Sequence, residues 1–261
     1  MTPLRNGLIV FLLAVTGLMH LPPWVGLLQA TIPTFVARGA SCANVDDCVP
    51  GLPAGHQLND ILVLACESSA DVTYADPTDY TQFTNSPQNQ STATQLNVWW
   101  KRHDGSEADP TVVDPAAAGD HLLCVIEAFR GVITTGDPFD VTSGNSEASV
   151  ADYVMPAVTT TVANTLIVWA ATAQSQATAD AGFTNAALAN VTTASDRDVL
   201  TALGDDGTIV MGNGDWASSG DTGTTAGSWA TTVNMARLTI ALKEEAAAAA
   251  TVSPFNLLFG Q

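Results

Sequence analysis

Basic side chains are scarce in this chain. Its 261 residues include eight Lys and Arg against 26 Asp and Glu, which gives a formal charge of −18, and Lys101 and Lys243 are the only lysines. An acidic surface of this kind repels the phosphate backbone, so the composition argues against direct nucleic-acid binding. It suits a crowded assembly or an extracellular medium, although a GC-rich genome accounts for the same composition equally well.

No apolar run reaches the length of a bilayer-spanning helix. The run Leu8 to Met19 has about twelve residues, whereas a span needs about 20. Arg5 precedes this run and Leu28-Gln29-Ala30 follows it, which is the layout of a secretory signal. A second apolar stretch, Pro254 to Phe259, lies near the other end. We expect residues 1–30 to be a cleaved signal or a retained anchor or arm, and we favour the retained segment.

Signatures of catalysis are also absent. The chain contains no Gly-x-Ser-x-Gly elbow, no His-Glu-x-x-His motif and no Walker loop. His56, His103 and His121 lie far apart in the sequence. Asp104 and Asp120 adjoin two of them, but Ser and Asp are so abundant that a Ser/His/Asp match carries little weight. We therefore expect no catalytic residues and no enzymatic activity.

The four cysteines do not match a zinc site. Their spacings fit none of the known zinc motifs. Cys42 and Cys48 frame a short polar loop, in which a local disulfide would close a small ring. Cys66 and Cys124 lie instead in strand-like apolar runs. There we favour small buried apolar side chains over a second disulfide.

Clustered carboxylates are the remaining candidates for holding a cofactor. They lie at Asp46-Asp47, at Asp205-Asp206 and around Asp215 and Asp221. With carbonyl groups from glycine-rich loops they could hold Ca²⁺, but their spacing does not fit the EF-hand pattern. We interpret them as solvated loop acids. We expect no metal site and no cofactor, with Ca²⁺ as a weak alternative.

Tryptophans are the candidates for contact with a ligand. Trp99 and Trp100 are adjacent on one predicted strand, so their side chains point to opposite faces. If Trp100 is exposed and Trp216 or Trp229 lies nearby, the rings would form a sugar-stacking surface. Contact between subunits would expose the same rings before assembly. Packing in a core is the commonest use of most such rings.

The pattern of apolar runs predicts an all-β fold. Leu238 to Leu242 alternates with the period of a half-covered strand, and His121 to Phe129 is apolar on both faces, as in a central strand. Frequent turn signals and the lack of amphipathic helices favour an antiparallel β-sandwich or jelly roll. Ser68 to Thr94 is predicted to be a long surface excursion. Only Lys243 to Ala250 has a helical pattern.

The chain divides into three parts. Residues 1–30 are the hydrophobic N-terminal arm or signal/anchor segment, residues 31–243 are the β-sandwich domain, and residues 244–261 are an Ala-rich linker with an apolar C-terminal arm. No clear internal repeat is present. Apolar segments at both ends favour assembly over catalysis, because a subunit that must bind neighbours or a membrane can use both of them.

Short blocks spread over Thr31 to Lys243 carry a resemblance to a known group of proteins. The blocks are Val98-Trp-Trp-Lys-Arg102, Gly119-Asp-His121, Ala128-Phe-Arg-Gly-Val132, Pro138-Phe-Asp140, Thr159-Thr-Thr161, Asn164-Thr-Leu-Ile-Val168 and Leu238-Thr-Ile-Ala-Leu-Lys243. In them the chain resembles uncharacterised proteins of tailed-phage and prophage genomes, which are usually taken as virion structural proteins. The resemblance implies a virion role and brings no catalytic motif with it.

We therefore expect a non-enzymatic virion structural subunit, of the capsid decoration (cement) or fibre type, at the virion surface. Its partners would be copies of itself or other virion proteins, bound through apolar residues of the two arms. These residues are Leu8, Phe11, Leu12, Phe255, Leu257, Leu258 and Phe259. A second hypothesis is a secreted carbohydrate-binding or adhesin module that binds glycans. A third is a pilus-like cell-surface filament subunit joined by strand donation, with membrane contact through its N-terminal segment.

Overall fold

Fifteen β-strands make up most of the part of the chain that the structure describes. The computed structural model describes residues 31–69, 71–115, 121–174, 179–198 and 207–246. The strands are β1 (Thr34–Arg38), β2 (Cys42–Asn44), β3 (Ile61–Ser68), β4 (Thr81–Gln82), β5 (Gln88–Gln90), β6 (Thr94–Arg102), β7 (Leu122–Arg130), β8 (Phe139–Met155), β9 (Thr159–Thr160), β10 (Thr165–Ala173), β11 (Ala179–Thr184), β12 (Ala189–Asp198), β13 (Thr208–Trp216), β14 (Gly220–Asp221) and β15 (Thr225–Leu242). Within these ranges there is no helix, and so none that could cross a membrane.

The first large sheet takes all of its strands from the N-terminal half of the chain. Its order is β1-β7-β3-β6-β4, with β2 also paired to β7 and β5 to β6. Every residue of β3 is buried, as is all of β7 except Arg130. Burial on both faces explains why these two strands are apolar almost throughout and do not alternate. The predicted central strand at His121 to Phe129 is confirmed as β7.

The second large sheet takes its strands from the C-terminal half. Its order is β11-β15-β10-β13-β12, with β8 also paired to β15. The central strand β10 is buried at every residue and pairs with β13 and β15 on its two sides. Strands β8 and β15 are unusually long, at 17 and 18 residues. The first part of β15 lies between β8 and β11, and this extension covers the outer face of the sheet.

The two sheets repeat one strand order. In the first sheet the order is β1-β7-β3-β6-β4. In the second sheet the corresponding strands are β8-β15-β10-β13-β12, with β11 as an additional neighbour of β15. The antiparallel β-sandwich is confirmed. The jelly roll is not confirmed, because each sheet takes its strands from a single half of the chain.

Apolar cores lie on both faces of each sheet. One core fills the space between the sheets, a second covers the outer face of the second sheet, and a third covers the outer face of the first sheet. The third core is closed by loops that contribute Tyr74, Tyr80 and Val112. The predicted surface excursion at Ser68 to Thr94 therefore covers a core and includes the short strands β4 and β5.

The predicted helix at Lys243 to Ala250 is wrong for its first residues. Glu244 forms a bridge with Val132, and the Glu245 N–H donates to the Gly131 carbonyl at 2.7 Å. These backbone bonds continue the extended path of β15, so local helix propensity is overridden by tertiary pairing. Residues 247–250 lie outside the described part of the chain.

Candidate functional site

The residues expected to mediate assembly lie outside the described residues. They are Leu8, Phe11, Leu12, Phe255, Leu257, Leu258 and Phe259. The described residues that lead towards them, however, meet at one place on the sandwich. That place is the turn between β7 and β8, at residues 131–133.

Gly131 is in contact with both ends of the sandwich domain. A Cβ atom on this residue would lie 3.8 Å from the Cα atom of Pro33, directly before β1. Its carbonyl accepts the hydrogen bond from Glu245, directly after β15. The Ile133 N–H donates to the Lys243 carbonyl at 3.0 Å. Pro33 and Glu245, which lie near the two ends of the described sandwich, are therefore at the same edge.

Exposed apolar side chains lie close to this turn. Leu58 is 63% exposed, and Phe35, in the strand that pairs with β7 next to the turn, is 38% exposed. Leu58 also lines a small cavity of about 130 Å³ together with Arg130, Gly131 and Glu245. The edge that holds both Pro33 and Glu245 thus offers apolar surface of its own.

Strand β8 presents a long exposed edge. Within the described ranges it pairs with β15 on one side, and Asn85 Nδ2 donates to the Thr142 carbonyl near its start, at 2.9 Å. Between Asn145 and Asp152 most residues are exposed. A row of backbone N–H and C=O groups at a sheet edge is a template for pairing with another strand. The surface therefore has the geometry to accept an added strand.

The cysteines form two disulfides. Cys42 and Cys48 are linked, with their Cα atoms 5.7 Å apart. Cys66 and Cys124 are also linked, across β3 and β7, with Cα atoms 4.2 Å apart. The interpretation of Cys66 and Cys124 as unlinked buried side chains is therefore wrong. Their separation of 58 residues concealed the fact that the two strands pair with these residues directly opposite each other.

The tryptophans do not come together as a sugar-stacking surface. Trp100 is half-buried against the core between the sheets, whereas Trp229 and Trp216 belong to the core on the outer face of the second sheet. Trp229 is 2% exposed and packs on Tyr153 with ring centroids 5.0 Å apart, so the prediction that it faces a ligand is wrong. Trp216 donates through Nε1 to Thr160 at 3.1 Å. Trp99 donates to Asp76 at 2.8 Å.

Two histidines are paired with glutamates. His121 Nε2 lies 2.6 Å from Glu67 Oε2, and both side chains are buried. Glu67 also accepts from Thr94 at 2.9 Å, and the Thr94 hydroxyl lies 3.1 Å from that of Thr172 in the other sheet. This polar network connects the two sheets inside the sandwich, where satisfied hydrogen bonds are needed to offset burial.

The other pair joins His103, which directly follows β6, to the loop after it, and both side chains are buried. His103 contacts Glu107 through Nδ1, and its ring meets that of His56 edge to face, with centroids 4.4 Å apart. Asp104 accepts two hydrogen bonds from Ser106, which lower the pKa of its carboxyl group. Asp104 therefore stabilises a turn, and within the described ranges no Ser/His/Asp triad is assembled around His103.

The candidate calcium-binding acids stabilise turns and loops. Asp47 accepts a hydrogen bond from the Asp114 N–H at 3.0 Å. Asp215 accepts one from the side-chain amide of Asn190 at 2.6 Å, and Asp221 accepts one from the Gly223 N–H at 2.9 Å. Asp205 and Asp206 lie outside the described residues. Across the described ranges no group of three or more His, Cys, Asp or Glu residues is placed to hold a metal ion.

A polar cavity of about 420 Å³ lies on the outer side of the first sheet. The turn that begins at Pro77 and precedes β4, the end of β6, and the loop 104–113 form its wall. Lys101 is mostly buried there, with Nζ 3.4 Å from Asp79 Oδ2 and 3.8 Å from Glu107 Oε1. Glu107 also accepts from the Asp104 N–H at 2.7 Å, which fixes its position.

The same cavity includes Tyr80 and Asp109. One oxygen of Asp109 accepts from the Leu52 N–H at 2.8 Å. Burial raises the pKa of Tyr80 well above its usual value, and the nearby charges of Glu107 and Asp109 raise it further. Reasoning from sequence missed this cavity. The density of acids between Asp104 and Asp109, close in sequence to Lys101, is the signal that could have revealed it.

Comparisons of the chain with protein-family models, with curated proteins and with solved structures found no match.

Proposed function

We propose that the protein is a non-enzymatic structural subunit of a virion, of the capsid decoration or fibre type, and that it assembles through its apolar terminal segments. The observation that carries the proposal is the meeting of both ends of the sandwich at the turn 131–133. Pro33 lies against Gly131, and Glu245 is hydrogen-bonded to it. Two apolar segments that leave from one edge can act together at one interface.

Acting together strengthens binding. Once one segment is bound to a neighbour, the other is held at a high effective concentration near the same surface, so the pair binds more tightly than either segment alone. The exposed side chains of Phe35 and Leu58 extend the apolar surface at this edge. Burial of apolar area is the main source of stability in permanent assemblies.

We assign the receiving surface to the exposed edge of β8 on a second copy of the chain. The donor would be Phe255 to Phe259, which adds as a strand. Asp152 lies on this edge, and the Glu147 carboxylate there is paired with Arg237 at 2.6 Å. Residues 252–261 carry no charged side chain, so approach involves no repulsion between carboxylates. The chain has 15 residues beyond Ala246, enough for a short connection and a strand of five residues.

The acidic, disulfide-linked sandwich supports this role. A formal charge of −18 keeps closely spaced bodies from associating except through specific contacts. The two disulfides restrain a body that would be exposed to the exterior, where such bonds persist. The resemblance of short blocks to virion structural proteins points in the same direction.

Removal of residues 252–261 tests the proposal. The truncated protein should keep the circular dichroism spectrum and thermal midpoint of the full chain but remain monomeric in analytical ultracentrifugation. For the full chain we expect particles or filaments in negative-stain micrographs. Their intact mass should include residues 1–30.

Single charges provide matched variants. Leu257→Asp should prevent assembly, whereas Asn256→Asp, which adds the same charge at a neighbouring position, should allow it. Normal particles or filaments from the truncated protein would refute the proposal. If expression of the full-length gene yields only a monomer that begins near Thr31, the proposal is refuted as well, and a secreted module is favoured.

A further inference from the structure

The four cysteines lie side by side on the outer face of the first sheet. In the pairing of β2 with β7, Cys42 lies directly opposite Cys124, and in the pairing of β3 with β7, Cys66 lies opposite the same residue. Because directly opposite residues of antiparallel strands point to the same face, these three cysteines form one row across β2, β7 and β3. Cys48 joins the row through its bond to Cys42, and all four side chains belong to the third core or pack against it.

Cys124 is the middle member of this row, and both neighbours are close enough to be linked to it. The Cα atoms of directly opposite residues are about 4.5–5.5 Å apart. A disulfide accepts Cα separations of about 4.4–6.8 Å. The bond to Cys66 is the one present. A bond from Cys124 to Cys42 would meet the same requirement without any change in strand pairing.

Exposure separates the two disulfides. Cys66 and Cys124 are 1% and 0% exposed, whereas Cys42 is half-buried and its partner Cys48 is fully buried. A small dithiol reductant therefore reaches the sulfur of Cys42 first and displaces Cys48 as a thiolate. The second thiol of the reductant then closes its own disulfide and releases Cys42 as a thiolate.

The surroundings favour Cys42 over Cys48 as an attacking thiolate. The Val49 N–H donates to Cys42 Sγ at 3.1 Å, and a hydrogen bond to the charged form of a group stabilises that form. Cys48 Sγ lies 3.6 Å from the Leu122 carbonyl oxygen, whose partial negative charge disfavours a thiolate there. Backbone hydrogen bonds between Cys48 and Val112 hold the neighbouring Val49 N–H and do not depend on the disulfide.

We propose that the two disulfides are an exchange pair, in which the freed Cys42 thiolate attacks Cys124. A bond forms between Cys42 Sγ and Cys124 Sγ, and the bond from Cys124 to Cys66 breaks. Cys66 leaves with the electron pair as a thiolate and takes up a proton, so this step changes neither the number of disulfides nor the oxidation state of the protein. Under mild reduction the loop between Cys42 and Cys48 opens, while β2 stays covalently attached to β7. The exchange does not depend on the role in assembly.

Disulfide mapping of the full-length protein tests the exchange. The protein is treated with less than one equivalent of dithiothreitol at about pH 8, where thiolates form, and is then quenched in acid, where they do not. Free thiols are labelled with N-ethylmaleimide in acidic denaturant, and the digest is analysed by mass spectrometry. In singly reduced molecules we expect peptides linked through Cys42 and Cys124, with Cys48 and Cys66 labelled. The two bonds close loops whose lengths differ by less than a factor of about two, so the exchanged and original forms should differ in abundance by less than about tenfold.

Two single variants provide matched samples that need no reductant. Cys48→Ala leaves Cys42 as a free thiol and should show the bond from Cys42 to Cys124, with Cys66 labelled. Cys42→Ala leaves Cys48 free instead and should keep Cys66 linked to Cys124, with only Cys48 labelled.

Three results would overturn the proposal. The first is retention of the Cys66–Cys124 bond in all singly reduced molecules of the treated protein or in all molecules of Cys48→Ala. The second is labelled Cys66 in Cys42→Ala, because the attack would then not depend on the row. The third is a bond between Cys42 and Cys66 in comparable amount, since those two cysteines are not neighbours in the row and their bond would indicate scrambling.

Discussion

The Cys66–Cys124 disulfide should contribute about twice the stability of the Cys42–Cys48 disulfide. A cross-link stabilises mainly by removing conformations from the unfolded chain, and this effect grows with the logarithm of the length of the closed segment. The separations are 58 and 6 residues. The chain-entropy relation gives about 4 kcal/mol for the longer segment and about 2 kcal/mol for the shorter one.

Two double variants separate the contributions of the two disulfides to the free energy of unfolding. Each variant removes one disulfide and leaves the other, which is under test, unchanged. In Cys42→Ala/Cys48→Ala, a reductant can break only the link across β3 and β7. In Cys66→Ala/Cys124→Ala, it can break only the local link. The free energy of unfolding is measured for each variant, oxidised and reduced, by guanidinium titration with tryptophan fluorescence. Reduction should cost the first variant about 4 kcal/mol and the second about 2 kcal/mol.

The order of the two losses decides the outcome. A loss in Cys42→Ala/Cys48→Ala that is equal to or smaller than the loss in Cys66→Ala/Cys124→Ala would refute the reasoning from segment length. Thiol titration of the unfolded, unreduced protein provides the control. It should find no free thiols, because all four cysteines are linked.

Two further measurements address packing. The three tyrosines, Tyr74, Tyr80 and Tyr153, are all buried, and burial raises the pKa of Tyr74 from 10.0 to about 12 and that of Tyr80 as well. A tyrosine whose pKa is raised in the folded state contributes stability that is present below pH 10 and is lost as the pH approaches 12. Tyrosinate absorbance and the circular dichroism signal should therefore change together in that pH window. Tyrosinate formation with an intact circular dichroism spectrum would contradict this. Gly39→Ala should lower stability by about 2–3 kcal/mol in thermal denaturation, because its Cβ would lie 1.8 Å from the Gly51 carbonyl oxygen. Gly51→Ala, with its nearest contact at 3.3 Å, should cost less than about 1 kcal/mol, and equal losses would argue against the close approach at Gly39.

The strands that could be predicted from sequence are those with strong apolar patterns. His121 to Phe129 and Leu238 to Leu242 lie in β7 and β15, because two-sided burial and simple alternation leave clear signals. Strand β8 gave no such signal over most of its length. Most of its residues between Phe139 and Met155 are exposed or half-buried, and many of them are polar and small. Pairing with β15 holds them in an extended strand.

Features that depend on register could not be predicted. The Cys66–Cys124 bond requires that β3 and β7 be neighbours with these two residues opposite each other. A sequence gives the period of each strand but not its partner or its offset. The same limit hid the repeated strand order of the two sheets, which has no clear counterpart in the sequence.

The cavity beside Lys101 was missed for a related reason. Its residues come from a turn, a strand end and a loop, and Tyr80 resembles any core aromatic until its hydroxyl is seen without a partner among the described residues. Trp229 was misjudged in the opposite direction. The sequence makes it one of three candidates for contact with a ligand, although the extension of β15 places it in a core.

The separation of the two sheets along the chain has a consequence for folding. Among the described residues, every strand pair of the two large sheets joins strands from the same half, so each sheet can form its backbone hydrogen bonds before it meets the other. Closing the sandwich then mainly brings side chains together, and it buries the inner faces in one docking step. Paired strands within one half are closer in sequence than strands taken from different halves would be. Each sheet should therefore form faster than a sheet that mixes strands from both halves. The link between β7 and β8 is the point about which the two halves come together.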